Sequence, residues 1–298
     1  MRNIIKADLY RIFRRFGVYI TFAIFIVMTI IQVAGNGTFG VHFFPQPIET
    51  IDEIAYYYDN DGNIIGEYNP KYARIIQTDD GIEFESIDPY NPTKTGKAAP
   101  IILAGYTDNL IYFLLPFIVF IIAADFSHGA VKNVFASGTN RGKYYFAKQI
   151  LVAGASVVLI LLNLIIIIVT AIIVNGFGGS FDLEFIKQLA EIYLPQLFLL
   201  FTFGCIGTFL TFTFKSTAIM NTVYIVYTLA PMIILLMLSQ KYDSLYNYDL
   251  ILNMKSFAYI GQNVLMNPSL TKAVFLGGVY ISACTIGGIL LFRKAEIK

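Results

Sequence analysis

The sequence predicts an all-α polytopic membrane protein with six transmembrane helices, an amino-terminal amphipathic helix and a small extracytoplasmic β-rich insert. Three observations carry this. Apolar residues make up 56% of the 298-residue chain, charged residues only 14%, and the mean hydropathy is +0.65. Such values belong to polytopic membrane proteins. The apolar residues fall in six long runs separated by polar segments. The charge is unevenly distributed although the net charge is only +1. Cys205 and Cys284 both lie inside apolar runs and read as packing residues, not a disulfide or metal site. The two histidines, His42 and His128, lie far apart.

Residues 1–16 are amphipathic. Ile5, Leu9, Ile12, Phe13 and Phe16 recur at helical spacing, and Arg2, Lys6, Arg11, Arg14 and Arg15 fill the other face. A basic helix of this kind prefers the plane of the bilayer surface. Residues 17–34 form the first span. They carry no small-residue cleavage site, so the run reads as a retained anchor. Residues 35–105 differ in kind, with most of the acids and several prolines. Ile54–Tyr58 and Ile64–Tyr68 flank Asp59-Asn60-Asp61-Gly62, the pattern of a hairpin; Ile75-Ile76 and residues 82–84 suggest a second. Asp59, Asp61 and Asn63 resemble the start of a calcium loop. The glycine is misplaced and the closing glutamate is missing, which favours a plain turn.

Residues 106–124 form the second span, interrupted by Pro116. Residues 125–146 form an inner corner that carries Lys132, Arg141 and Lys143, with Lys148 just beyond, against one acid, Asp125. Ser127 can cap a short helix whose Val131, Val134 and Phe135 share a face. Gly138 can end it in the left-handed conformation, and Thr139 or Asn140 can cap the next helix. Shape and charge alone fit two readings, an ordinary cytoplasmic loop and a docking element. Residues 147–174 form the third span, 175–190 an outer loop, 191–214 the fourth span and 217–238 the fifth, after a short turn at Lys215-Ser216. Residues 239–270 form an outer loop, 271–292 a sixth span rich in small residues, and 293–298 the tail. An even number of spans puts both ends on one side. With the termini inside, inner segments hold 13 Lys and Arg against 8 outside, and acids divide 3 inside to 17 outside. Both splits place the termini in the cytoplasm.

No catalytic constellation is visible. Neither histidine can serve a cysteine in mid-membrane, no H-E-x-x-H exists, and paired intramembrane acids are missing. Gly138-Thr139-Asn140-Arg141-Gly142-Lys143 fails as a phosphate loop: three residues separate its glycines and Tyr144 follows the lysine. The chain reads as no enzyme, with no cofactor or metal of its own and no nucleic-acid partner. Polar residues inside the spans include Asn163, Gln196, Thr202, Asn221 and Thr228. They either hold helices together or line a translocation path or subunit seam, and the former is the commoner use.

The order of features resembles the permease subunit of an ABC-2 type transporter. The resemblance rests on residues 4–20, IIKADLYRIFRRFGVYI, before span one, the large outer insert, and residues 125–150, DFSHGAVKNVFASGTNRGKYYFAKQI. In the latter, Gly129-Ala130-Val131-Lys132-Asn133, then Gly138 through Lys143, then Lys148 look much like the bacitracin- and lantibiotic-immunity permeases of Gram-positive bacteria. The resemblance implies a multi-pass protein of a bacterial cell membrane. It implies two copies of a separate ATPase subunit, which would hold ATP and Mg, and a second permease chain, identical or related. The corner would be the coupling helix, with Gly129, Val131, Lys132, Asn133, Val134, Phe135, Gly138, Arg141 and Lys143 carrying the contact. Val134 and Phe135 would bury in the ATPase and the basic residues would pair with its acids. The family moves varied substrates. An acidic outer face suits cationic or amphipathic peptides, for export or immunity. An ATP-independent carrier or a membrane sensor using the insert remains the alternative.

Overall fold

Every long apolar run becomes a helix because backbone groups in hydrocarbon can be satisfied only within the segment itself. The computed structural model describes residues 2–34, 49–51, 54–58, 64–68, 74–78, 81–85, 96–127, 129–179, 181–239, 248–257 and 270–294. His42, His128, the turn at residues 59–63, most of the outer loop at 239–270 and the tail at 295–298 lie outside the described residues.

The helices are α1 (Arg2–Phe13), α2 (Phe16–Ala34), α3 (Ala99–Ile102), α4 (Leu110–Ile118), α5 (Ala124–Ser127), α6 (Ala130–Ala136), α7 (Arg141–Asn175), α8 (Leu183–Phe214), α9 (Thr217–Ser239), α10 (Leu250–Ser256) and α11 (Leu270–Lys294). A 3₁₀ segment, Leu103–Asn109, joins α3 to α4, and a π-helical segment, Val119–Ala123, joins α4 to α5. Five helical stretches are long and apolar enough to cross a membrane: Phe16–Ala34, Ala99–Ser127, Arg141–Asn175, Leu183–Phe214 and Leu270–Lys294. Helix α9 adds a shorter apolar stretch, Thr217–Ala230. Between α2 and α3, β1 (Glu49–Ile51), β2 (Ile54–Tyr58) and β3 (Ile64–Tyr68) pair antiparallel in that order, and β4 (Arg74–Thr78) pairs with β5 (Gly81–Glu85).

Three helical stretches begin earlier than hydropathy alone predicts, because their first turns are capped or packed. The second apolar stretch starts at Ala99, not 106, with Ala99 and Ala104 fully buried. Helix α7 starts at Arg141 because Asn140 Oδ1 accepts from the amides of Gly142 and Lys143 at 2.8 and 3.4 Å. Helix α8 absorbs the acidic stretch assigned to the outer loop, since the Asp182 carboxylate accepts from the Phe185 amide at 2.8 Å. Pro195 sits buried inside α8 and Pro116 inside α4.

Helix α8 is the axis of the molecule, packed by α4, α7, α9 and α11. Small residues let the backbones close in. Gly204 faces Val152 of α7, Gly207 faces Ile118 and Tyr224, and Gly277 of α11 faces Phe198 and Thr202. Gly288 seats the Tyr145 ring, whereas Gly278 faces open space. The small residues of α11 therefore divide between packing positions and a bare face.

The far end of the insert is anchored in the helices. The Gly96 and Lys97 amides donate to the carbonyls of Gly176 and Phe177, each at 2.9 Å. Lys97 Nζ lies 2.9 Å from the Asp182 carboxylate. Helix α10 packs on the 3₁₀ segment, and Lys255 lies 3.2 Å from Asp108.

Candidate functional site

The basic corner forms at one end of the bundle. Gly129 and Gly138, with φ of +66° and +78°, bracket α6, and glycine adopts that backbone without strain. Gly138 ends the helix and Asn140 opens the next, as the pattern predicts. Ser127 does not cap α6. It ends α5, donating to the Ala123 carbonyl at 3.2 Å, and Gly129 takes the N-cap position without a side-chain bond.

The apolar face of α6 packs partly against the chain itself. Val131 is buried in the chain's own core, and Val134 is half-buried against it. The Phe135 ring meets Tyr144 at 5.4 Å and Phe292 at 5.7 Å between centroids. These apolar residues spend much of their surface inside the molecule, because α7 and α11 offer aromatic partners on that side. Arg141 also turns inward. Its Nη1 donates to the carbonyls of Phe292 and Arg293, at 3.1 and 2.8 Å, where a cation meets the negative end of α11. The surface left exposed is small, polar and basic: Lys132, Asn133, Ala136, Ser137, Gly138 and Lys143.

Beneath the corner lies a charge cluster that its sequence positions do not announce. Lys148 is 0% exposed. Its Nζ lies 2.7 Å from Asp8 and 2.5 Å from Asp125, and donates to the Ile121 carbonyl at 2.9 Å. Arg11 pairs with Asp8 at 2.7 Å and also with Asp125. The Tyr144 hydroxyl donates to Asp125 at 2.6 Å. Two carboxylates therefore face two cations, and the cluster ties α1, α5 and α7 together. Burial, the largest influence on Asp8, holds its pKa above the ordinary carboxylate range, and Lys148 works against it. Burial alone would lower the Arg11 pKa, but its bonds to Asp125 turn the net shift upward.

Two sequence expectations change here. Helix α1 buries Ile12, Asp8 and part of Arg11 and leaves Leu9, Tyr10 and Phe13 exposed, so its inward face is partly ionic. Lys148 was assigned with the basic corner surface, yet it is consumed inside. Asp8 of α1 and Asp125 of α5 meet across this cluster, each bound to both cations. The available signals were an acid four residues from both Ile4 and Ile12 in a basic helix, and a lysine at the mouth of a long apolar run.

The five polar residues named for a path or seam sit on α7, α8 and α9. Asn163 is buried. Thr202 donates to Phe198 O at 3.0 Å and Thr228 to Ile225 O at 2.9 Å, each within its own helix. Gln196 Nε2 donates to the carbonyls of Ala104 and Met254 at 3.0 and 3.1 Å, bridging the 3₁₀ segment and α10. The buried oxygens of Gln196 and Asn221 find no partner among the described residues. No hydrogen bond joins any two of these five side chains there. Another polar contact joins three helices: Gln149 Nε2 lies 2.9 Å from Cys205 Sγ and 2.7 Å from Thr285 Oγ1. The fold thus has the character of a membrane protein with an ordered polar corner at one end. No family model matches the chain, and a search of curated proteins finds no match either.

Proposed function

We propose that the chain is the permease subunit of an ABC-2 type exporter, with α9 as the fifth of six spans. On this reading both termini lie in the cytoplasm of a bacterial cell, and residues 35–95 lie outside the plasma membrane. Two copies of a separate ATPase would bring ATP and Mg, and a second permease chain would complete the transporter. Amphipathic or antimicrobial peptides are the proposed cargo, for export or for immunity. The single observation behind the reading is the corner: a short helix between two apolar stretches, presenting Lys132, Asn133 and Lys143 outward while its other face is braced by α7 and α11. That is the form a docking element takes when it must transmit force and not only bind.

A second reading has its own observation. The buried ions of Asp8, Asp125, Arg11 and Lys148 are of the type that marks ion pathways. An ATP-independent carrier or sensor would use them. A mild-detergent pull-down of the tagged chain followed by mass spectrometry separates the two. A stoichiometric P-loop ATPase supports the exporter; a clean preparation without one overturns it.

The role of the insert has a separate test. Residues 96–99 are part of the helical fold, so a deletion must stop short of them. Removing residues 49–85 is expected to leave membrane levels and the thermal midpoint near those of the full chain, while changing resistance to added cationic peptides. A deletion reaching residue 100 is expected to cost folded protein as well, because it removes the Lys97–Asp182 pair and the buried Ala99. Membrane blots and thermal melts read both outcomes.

A further inference from the structure

We infer that the Asp8–Lys148–Asp125–Arg11 cluster clamps α1 to the corner, so that displacement of α5–α6 carries the amino-terminal helix with it. This goes beyond the exporter reading and does not depend on which partner pushes the corner.

The covalent chain alone would leave the two elements independent. Helix α1 is separated from α2 by a break at Arg14 and Arg15. Residue 8 is 117 positions away from Asp125 and 140 from Lys148. The cluster supplies the missing connection with directional bonds at 2.5–2.7 Å. Lys148 and both acids are shielded from water, with Asp125 2% and Asp8 6% exposed, while Arg11 closes the cluster from its half-buried side. Separating α1 from the corner would leave opposite charges unpaired in a low-dielectric site, which is strongly unfavourable. The contacts that join α5 and α6 to α8 and α11 include ring packing, Phe126 on Phe212 at 5.5 Å and Phe135 on Phe292 at 5.7 Å, while the hydrogen bonds to α11 come from Arg141 at the start of α7. Such apolar contacts are non-directional and tolerate sliding better than an ion pair does.

Lys148 has a second duty. Its bond to the Ile121 carbonyl lies in the π-helical segment, three residues beyond Pro116. Proline removes one ladder bond and a π turn displaces others, so this is where the second stretch bends most readily. Lys148 therefore holds both α1 and the bend, whereas Asp8 holds α1 alone.

Hydrogen–deuterium exchange on the full chain in mild detergent tests this. Asp8→Asn is expected to speed exchange in residues 2–13 at least tenfold while leaving residues 116–123 and the α8 core unchanged. Lys148→Met is expected to speed both 2–13 and 116–123. Phe135→Ala, which loosens the corner, is expected to speed exchange in 2–13 in the otherwise native chain and to add nothing in the Asp8→Asn background. That non-additivity is the mark of transmission, because a merely local role for Asp8 would leave the two effects independent. Unchanged exchange in 2–13 with Asp8→Asn overturns the clamp, and additive effects with Phe135→Ala overturn the transmission.

Discussion

Lys148→Met is expected to lower the folded stability of the chain by about 3–5 kcal/mol, the usual cost of removing one partner from a buried ion pair. Methionine keeps the length of the stem to Cε and loses the ammonium, so the apolar packing around α7 changes little. What changes is the balance. The native cluster sets two carboxylates against two cations. Without the ammonium, Asp8 and Asp125 share Arg11 alone, and the Ile121 carbonyl loses its donor. Pairing the change with Asp8→Asn restores neutrality and leaves Arg11 with Asp125. The double variant is expected to lose less than the sum of the single losses, by about 0.5–3 kcal/mol, the range for directly interacting residues. Thermal unfolding of the four proteins in one detergent measures the cycle. An additive result would mean that Asp8 and Lys148 do not act together, and a native midpoint for Lys148→Met would mean that the buried ammonium does not hold the fold.

The same cluster shows where sequence reading stops. The end of α6 and the start of α7 were legible because glycine and asparagine act on neighbouring residues: Gly138 ends one helix and Asn140 opens the next within three positions. Five membrane-length helical stretches were legible because apolar length is a local property. The start of α8 was not, since its first turns are polar and a cap at Asp182, not hydropathy, sets the boundary. Lys148 was read as part of a basic surface because the charge rule counts residues without regard to what they meet. Its partners come from helices distant in sequence, and no periodicity in α7 points toward Asp8. Phe135 shows the same limit. An apolar residue on an inner helix can face a partner or its own bundle, and only the positions of Tyr144 and Phe292 decide between them.

These internal contacts bear on how the proposed docking site is tested. Phe135→Asp would place a carboxylate against Tyr144 and Phe292, so loss of a partner could arise from a damaged corner. The exposed cations give a cleaner experiment. Lys132 and Lys143 lie on the outward surface of the corner, and neither takes part in the buried cluster. Lys132→Glu with Lys143→Glu is expected to leave the thermal midpoint within about 0.5 kcal/mol of native stability, as for surface changes away from packed features. The same pair is expected to weaken capture of the ATPase at least tenfold, because each reversal turns an attraction to an acidic partner into repulsion. The loss should shrink as salt rises, since exposed charges are screened within about 8 Å at physiological ionic strength. Quantitative pull-down at two salt concentrations reads both effects. Undiminished capture by the double variant would remove Lys132 and Lys143 from the contact and leave Asn133, Ala136 and Ser137 as the surface through which the corner must act.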